Sequence, residues 1–177
     1  VNKIPNWCIG NVNVKGTPRD IERFCRLFLF EDDKPDKKQY FARSFIHETW
    51  KDFKEENLKN NDGEVNFMVD FAWSVHSCLI DGYPTDENHD KHLITLSNAC
   101  KKFNVSVHIE SEETGMCFEE EIDCSELGEL EDSCIEMPTY VCSCGNKQQF
   151  PSSYSKSELE DEECWECNKI GEWKNEI

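Results

Sequence analysis

The chain has 177 residues, 37% of them hydrophobic and 11% aromatic, and carries 37 Asp and Glu against 19 Lys and Arg for a formal net charge of -18. That length accommodates one ordinary domain with a small appendage, and the apolar content excludes a disordered chain. With no basic patch to release counterions, direct binding to nucleic acid or an anionic membrane is not expected, and the absence of a spanning apolar run or a signal-like start in Val1 to Trp7 predicts a cytosolic protein.

Cys8, Gly10, Val12 and Val14 alternate with Ile9, Asn11, Asn13 and Lys15, which predicts a first strand with one buried face. Gly16 ends it, Thr17 reads as an N-cap with Pro18 at the first helical position, and Ile21, Phe24, Cys25 and Phe28 predict a helix from about 18 to 30. After a charged turn around Pro35, Phe45, Ile46, Trp50 and Phe53 predict a second helical stretch, an insertion at about 31–64 that Asn60 to Gly63 breaks. Val65, Phe67, Val69, Phe71 and Trp73 then mark the clearest strand. A loop from Asp81 to Asn88 leads to a helix over about 89–103, with Leu93, Leu96, Cys100 and Phe103 facing inward. Val105, Val107 and Ile109, followed by the Gly115 turn and by Met116, Phe118 and Ile122, predict a hairpin. Strands interleaved with helices over residues 1–124 predict an α+β fold, a ferredoxin-like sandwich with a largely antiparallel sheet and helices on one face.

The charge is uneven. Residues 1–110 are nearly balanced, whereas 111–177 hold 19 acidic residues against 4 basic ones. Residues 125–137 read as an acidic linker into a C-terminal module, 138–177. There Cys142-Ser-Cys144-Gly and Cys164-Trp-Glu-Cys167 form two short knuckles separated by nineteen residues. Two thiolates from each suit the corners of one tetrahedral Zn²⁺, so the module reads as a zinc ribbon with one structural ion per chain. Four protein ligands leave no open coordination position. Two disulfides or a redox Cys-x-x-Cys also fit this spacing, but the acidic run Glu160 to Glu163 opposes thiolate formation by a redox cysteine.

The opening Ile4-Pro5-Asn6-Trp7-Cys8, running into Asn11-Val12-Asn13-Val14-Lys15-Gly16, resembles the start of the YubB-type ferredoxin-like family of phages and plasmids. Phe71-Ala72-Trp73-Ser74 is similar to that family's aromatic strand ending in Ala-Trp-Ser, and Glu112-Glu113-Thr114-Gly115-Met116 to its acidic hairpin turn. The resemblance covers roughly residues 4–124 and departs in the insertion and in the ribbon. It implies a mobile-element origin and a ferredoxin-like fold, and brings no established chemistry.

No phosphate loop, nucleophile elbow or His-Glu-x-x-His is present, and the expectation is a non-enzymatic protein. His89 and His92, with Asp86 and Asp90, fit a second metal site on a helix face, but a polar helix start capped by Asp86 or Asn88 is the plainer reading. His76 and Cys78 could pair as base and nucleophile, yet nothing orients them. Eleven acidic residues in 111–137 without one Lys or Arg suggest either a solvated surface or mimicry of a phosphate backbone. With the resemblance, this predicts a phage- or plasmid-encoded inhibitor of a host defence nuclease, anti-CRISPR-like, that occupies the basic channel of a nucleic-acid-handling protein such as a CRISPR effector nuclease. Glu112, Glu113, Glu119, Glu120, Glu121 and Asp123 are the expected partner contacts, with Trp165 as anchor. The alternative is a zinc-ribbon regulatory or adaptor protein that docks to a replication or transcription partner.

Overall fold

Strict alternation along four strands organises the chain around a one-sided sheet. The computed structural model describes residues 6–33, 39–80 and 92–175. Strand β1 (Trp7–Lys15) buries Cys8, Gly10, Val12 and Val14 and leaves Ile9, Asn11, Asn13 and Lys15 on the other side. It lies between β4 (Glu64–Ala72) and β5 (Ser106–Glu113) and is antiparallel to both. With β2 (Leu29–Phe30), β3 (Ser44–Ile46), β6 (Phe118–Cys124) and β7 (Leu130–Glu136) the sheet runs β2-β3-β4-β1-β5-β6-β7. Because β4 and β5 both oppose β1, they are parallel to each other across it, a split β-α-β arrangement with the helix α3 (Leu96–Phe103) in the connection. The fold is α+β, mostly sheet with few helices.

Helix α1 (Pro18–Cys25) begins as its sequence predicts, with the Thr17 hydroxyl accepting from the Asp20 N–H and Pro18 in the first turn. It ends sooner than residue 30. Leu27 and Phe28 lie in a turn, and Leu29 and Phe30 pair with Phe45 and Ile46 instead of continuing the helix. The same correction applies to the second helical stretch. Arg43 takes a left-handed φ of 46°, Ser44 and Phe45 pair with β4 as part of a strand, and the helix α2 (Trp50–Phe53) starts only after a second Thr cap, the Thr49 hydroxyl accepting from the Asp52 N–H. A π-helical turn, Lys54–Leu58, extends it. Residues 89–91 lie outside the described residues, and 92–95 are not helical: Tyr40 donates to the His92 carbonyl and accepts from the Ile94 N–H, so α3 begins at Leu96.

Between the helices and the sheet, Phe28 packs against Phe24, Phe41 and Phe67, and Phe53 against Phe67 and Phe30, with ring centroids 4.9 to 6.0 Å apart. Trp50 closes this cluster beneath the Arg26 guanidinium, 4.9 Å from its ring and itself paired with Asp33 at 2.9 Å. Trp73 does not prolong β4. Its φ of 77° turns the chain out of the sheet, and its N–H donates to the Asn6 carbonyl at 2.9 Å.

Residues 125–137, expected as a linker, instead supply β7, paired along its whole length with β6. A turn with Gly128 at φ 78° makes this reversal possible, since a side chain there would meet the Ser97 carbonyl at 2.7 Å. Beyond it a second sheet, order β10-β8-β9, contains β8 (Thr139–Cys142), β9 (Lys147–Gln149) and β10 (Trp173–Asn175), with the short helix α4 (Lys156–Asp161) under a Ser155–Glu158 capping box. Phe150 is the hub of this module, its ring meeting Tyr140, Tyr154 and Trp173.

Gly10 is the tightest point of the large sheet. A Cβ there would lie 2.6 Å from the fully buried Phe71 ring, which has no room to retreat. Gly10→Ala is expected to destabilise the fold by about 1–3 kcal/mol in chemical denaturation; an unchanged midpoint would show that the core around Phe71 yields.

Candidate metal centre and acidic sheet face

The two cysteine knuckles are built alike. In the first, the Cys142 N–H donates to the Asn146 carbonyl and the Gly145 N–H to the Cys142 carbonyl, with Gly145 at φ 92°. In the second, the Cys164 N–H donates to Lys169 and the Asn168 N–H to Cys164, with Asn168 at φ 55° and Gly171 at φ 70°. These turns gather the four expected ligands, Cys142, Cys144, Cys164 and Cys167, with all sulfurs within 4.8 Å of one another. Cys142 and Cys167 are 3.6 Å apart and Cys144 and Cys164 3.7 Å. A tetrahedral ion bound at the usual Zn–S length would hold its sulfurs about 3.8 Å apart, so the four thiols fit a metal and are too far apart for disulfides. All described cysteines are free thiols.

The surroundings favour thiolate at Cys164, whereas the Cys144 and Cys167 thiols are raised. Burial raises the Cys164 thiol, but the N–H groups of Cys167 and Glu166 and the Asn146 amide, 3.4 Å from its sulfur, outweigh that and bring it down to about 6. Lys169, paired with Glu172 at 3.3 Å, places a cation beside the cluster. Neither Asn146 nor Lys169 was singled out from the sequence. Their roles follow from the knuckle turns, which carry no residue signal beyond Gly and Asn. Trp165, between Cys164 and Cys167, is 67% exposed, and Ile170 nearby is 61% exposed.

The acidic candidates divide by strand parity. Glu112, Glu119, Glu121 and Asp123 stand on the open face of the sheet. Glu113 and Glu120 point the other way and are 3% and 6% exposed, so they are not available as surface contacts. Both are satisfied internally. Glu120 accepts from the Val75 N–H at 2.8 Å, the His76 N–H at 3.2 Å and the Ser111 hydroxyl at 3.3 Å, fixing the turn after β4 to β6. Glu113 closes the hairpin by accepting from the Gly115 and Met116 N–H groups. Sequence reading grouped all six because consecutive glutamates look alike until a register assigns them faces.

On the open face, β5 and β6 set Glu112 directly opposite Glu119 and Glu110 opposite Glu121. Among the described residues no Lys or Arg pairs with any of these four. Partial burial and the Glu119 charge raise the Glu112 carboxyl above its ordinary range. One row further, His108 bonds Asp123 at 3.0 Å and lies 3.7 Å from Glu110. Ile9, Met68 and Ile135 share this face and are about half exposed. The C-terminal module reaches the same face, its Ser152 N–H donating to Glu119.

His76 and Cys78, the sequence's base and nucleophile, are not brought together as a pair. Cys78 is buried and donates to the Ala72 and Arg43 carbonyls, burial pushing its thiol up to about 12, while His76 faces Asp132 at 3.8 Å. Of the second histidine pair, His89 with Asp86 and Asp90 lies outside the described residues. His92 sits in a turn ahead of α3, so the helical spacing that motivated the pair does not apply to it. No described helix is long and apolar enough to cross a membrane.

Three outcomes follow. Purified protein should contain about one metal ion per chain by elemental analysis, and a Cys142→Ser/Cys164→Ser variant none. Glu120→Ala, which strands the buried Val75 N–H and the part-buried His76 N–H, should cost about 1.5–3 kcal/mol in denaturation. For Glu112 the raised carboxyl holds its proton more tightly folded than unfolded. Its stabilising contribution is therefore full below the ordinary glutamate value, about 4.3, and is lost as pH rises through the raised one. Glu112→Gln should flatten that part of the stability profile, and a profile as steep as the parent's would show that this pair is screened out. Comparison of the chain with protein-family models, curated proteins and solved structures returns no match.

Proposed function

We propose that this protein is a non-enzymatic, phage- or plasmid-encoded inhibitor of a host defence nuclease, binding the basic nucleic-acid channel of its target through the open face of the sheet. The observation that carries this reading is the ladder of carboxylates, Glu110, Glu112, Glu119 and Glu121, that no described Lys or Arg pairs with and that β5 and β6 hold in register. Like charges directly opposite one another destabilise a sheet, and a cationic partner relieves that repulsion. Asp123 extends the ladder towards His108. The split β-α-β core supports a ferredoxin-like body of the YubB type, and the knuckle geometry supports structural zinc as the metal. Zinc would be held by Cys142, Cys144, Cys164 and Cys167, and by binding would add its free energy to folding of the C-terminal module.

A second reading has its own observation. Trp165 and Ile170 are large apolar side chains exposed on the module itself, which suits a zinc-ribbon adaptor docking to a replication or transcription partner. The two readings separate in one capture experiment from nuclease-treated host lysate. Charge reversal at Glu112, Glu119 and Glu121 should abolish recovery of a nucleic-acid enzyme and its inhibition, and recovery should fall steeply with salt. If that variant still captures its partner and Trp165→Ala does not, the adaptor reading replaces the inhibitor.

A further inference from the structure

The acidic face is not flat. Ile9, Met68 and Ile135, with Glu110, Glu112 and Glu119, line a groove of about 360 Å³ on the open side of the sheet. One end is bounded by Ser153 of the C-terminal module, whose neighbour Ser152 is bonded to Glu119. Such a volume lies at the small end of specific binding sites. Its composition excludes an anionic occupant and distinguishes it from a purely electrostatic surface, since the apolar side chains at its two ends are 45 to 57% exposed.

Register gives the groove an internal order. Ile9 pairs with Glu112, Glu112 with Glu119, and Glu119 with Ile135, so one row across β1, β5, β6 and β7 reads apolar, acidic, acidic, apolar. Met68, on the next row of β4, widens the first apolar end. Three inter-strand spacings separate Ile9 from Ile135, about 14 Å. An extended chain covers the same about 14 Å in four residues, and its residues i, i+2 and i+4 project to one side.

We propose that this groove binds an extended polypeptide segment of a partner in which a Lys or Arg lies midway between two apolar residues, each two positions away. The apolar side chains seat against Ile9 with Met68 and against Ile135, and the cation between them lies over the Glu112–Glu119 pair. This rests on the acidic-face reading above and names the chemistry that the face selects. The raised Glu112 carboxyl is consistent with a pair that gains from a cation it does not have among the described residues.

The test uses the full-length protein and three fluorescein-labelled peptides of equal net charge: one carrying Leu-Ser-Lys-Ser-Leu, one with both leucines replaced by serine, and one with the lysine moved by one position. Fluorescence anisotropy should give the first peptide an affinity on the order of tenfold or more above either control. Ile135→Ser and Met68→Ser, both at exposed positions, should remove the leucine advantage, and Glu112→Gln the dependence on lysine position. Far-ultraviolet dichroism on each variant checks that the fold is kept. Equal binding of all three peptides would overturn the proposal, leaving attraction by charge alone. So would absence of peptide binding. In either case, a lysate partner still lost on reversal of Glu112, Glu119 and Glu121 leaves the inhibitor reading standing, whereas a partner indifferent to those reversals removes both.

Discussion

Burial of one face of the sheet, and only one, is the constraint on which the rest of the molecule depends. Packing of α1 and α3 with the aromatic cluster around Phe28 and Phe53 buries alternate residues of β1, β4, β5 and β6. A shift of a single residue in any of these pairings would turn Val12, Phe67 or Ile109 to water and carboxylates into the core, so the register is tightly held. The surface chemistry follows from that. Once Ile109 and Ile122 are inside, Glu110, Glu112, Glu119 and Glu121 have no choice but to stand together outside.

The same parity places two carboxylates inside, and burial of a charge is tolerable only where donors meet it. Glu120 and Glu113 meet this condition by taking main-chain N–H groups from turns that would otherwise leave them unpaired. One acidic run therefore performs two tasks. Its inward members staple the turns at the end of the sheet, and its outward members concentrate negative charge on a face that β7 extends to Ile135.

Folding of the C-terminal module follows a different principle. Phe150 and its three aromatic neighbours make a small core, while the two knuckles bring four thiols to metal-binding distance. A core of this size is at the lower limit of what folds without a covalent or metal cross-link. The contact from Ser152 to Glu119 brings the module that carries the cysteine cluster to the rim of the groove.

The four clustered cysteines, β1, β4, the β5–β6 hairpin and the Thr17 cap were legible in the sequence because each depends on local spacing: two-residue alternation, a capping residue, a knuckle. Residues 27–30 and 44–46 were misread as helix, since short apolar runs fit both periods until a neighbouring strand claims their backbone groups. Composition made 125–137 look like a linker, and pairing with β6 made 130–136 a strand. What the sequence determined by itself was the quantity of negative charge and the identity of the sulfur donors. Which glutamates face water, and that Ile9 and Ile135 flank them in one row, was decided only by tertiary structure, because strand register is a long-range choice made by the packed core.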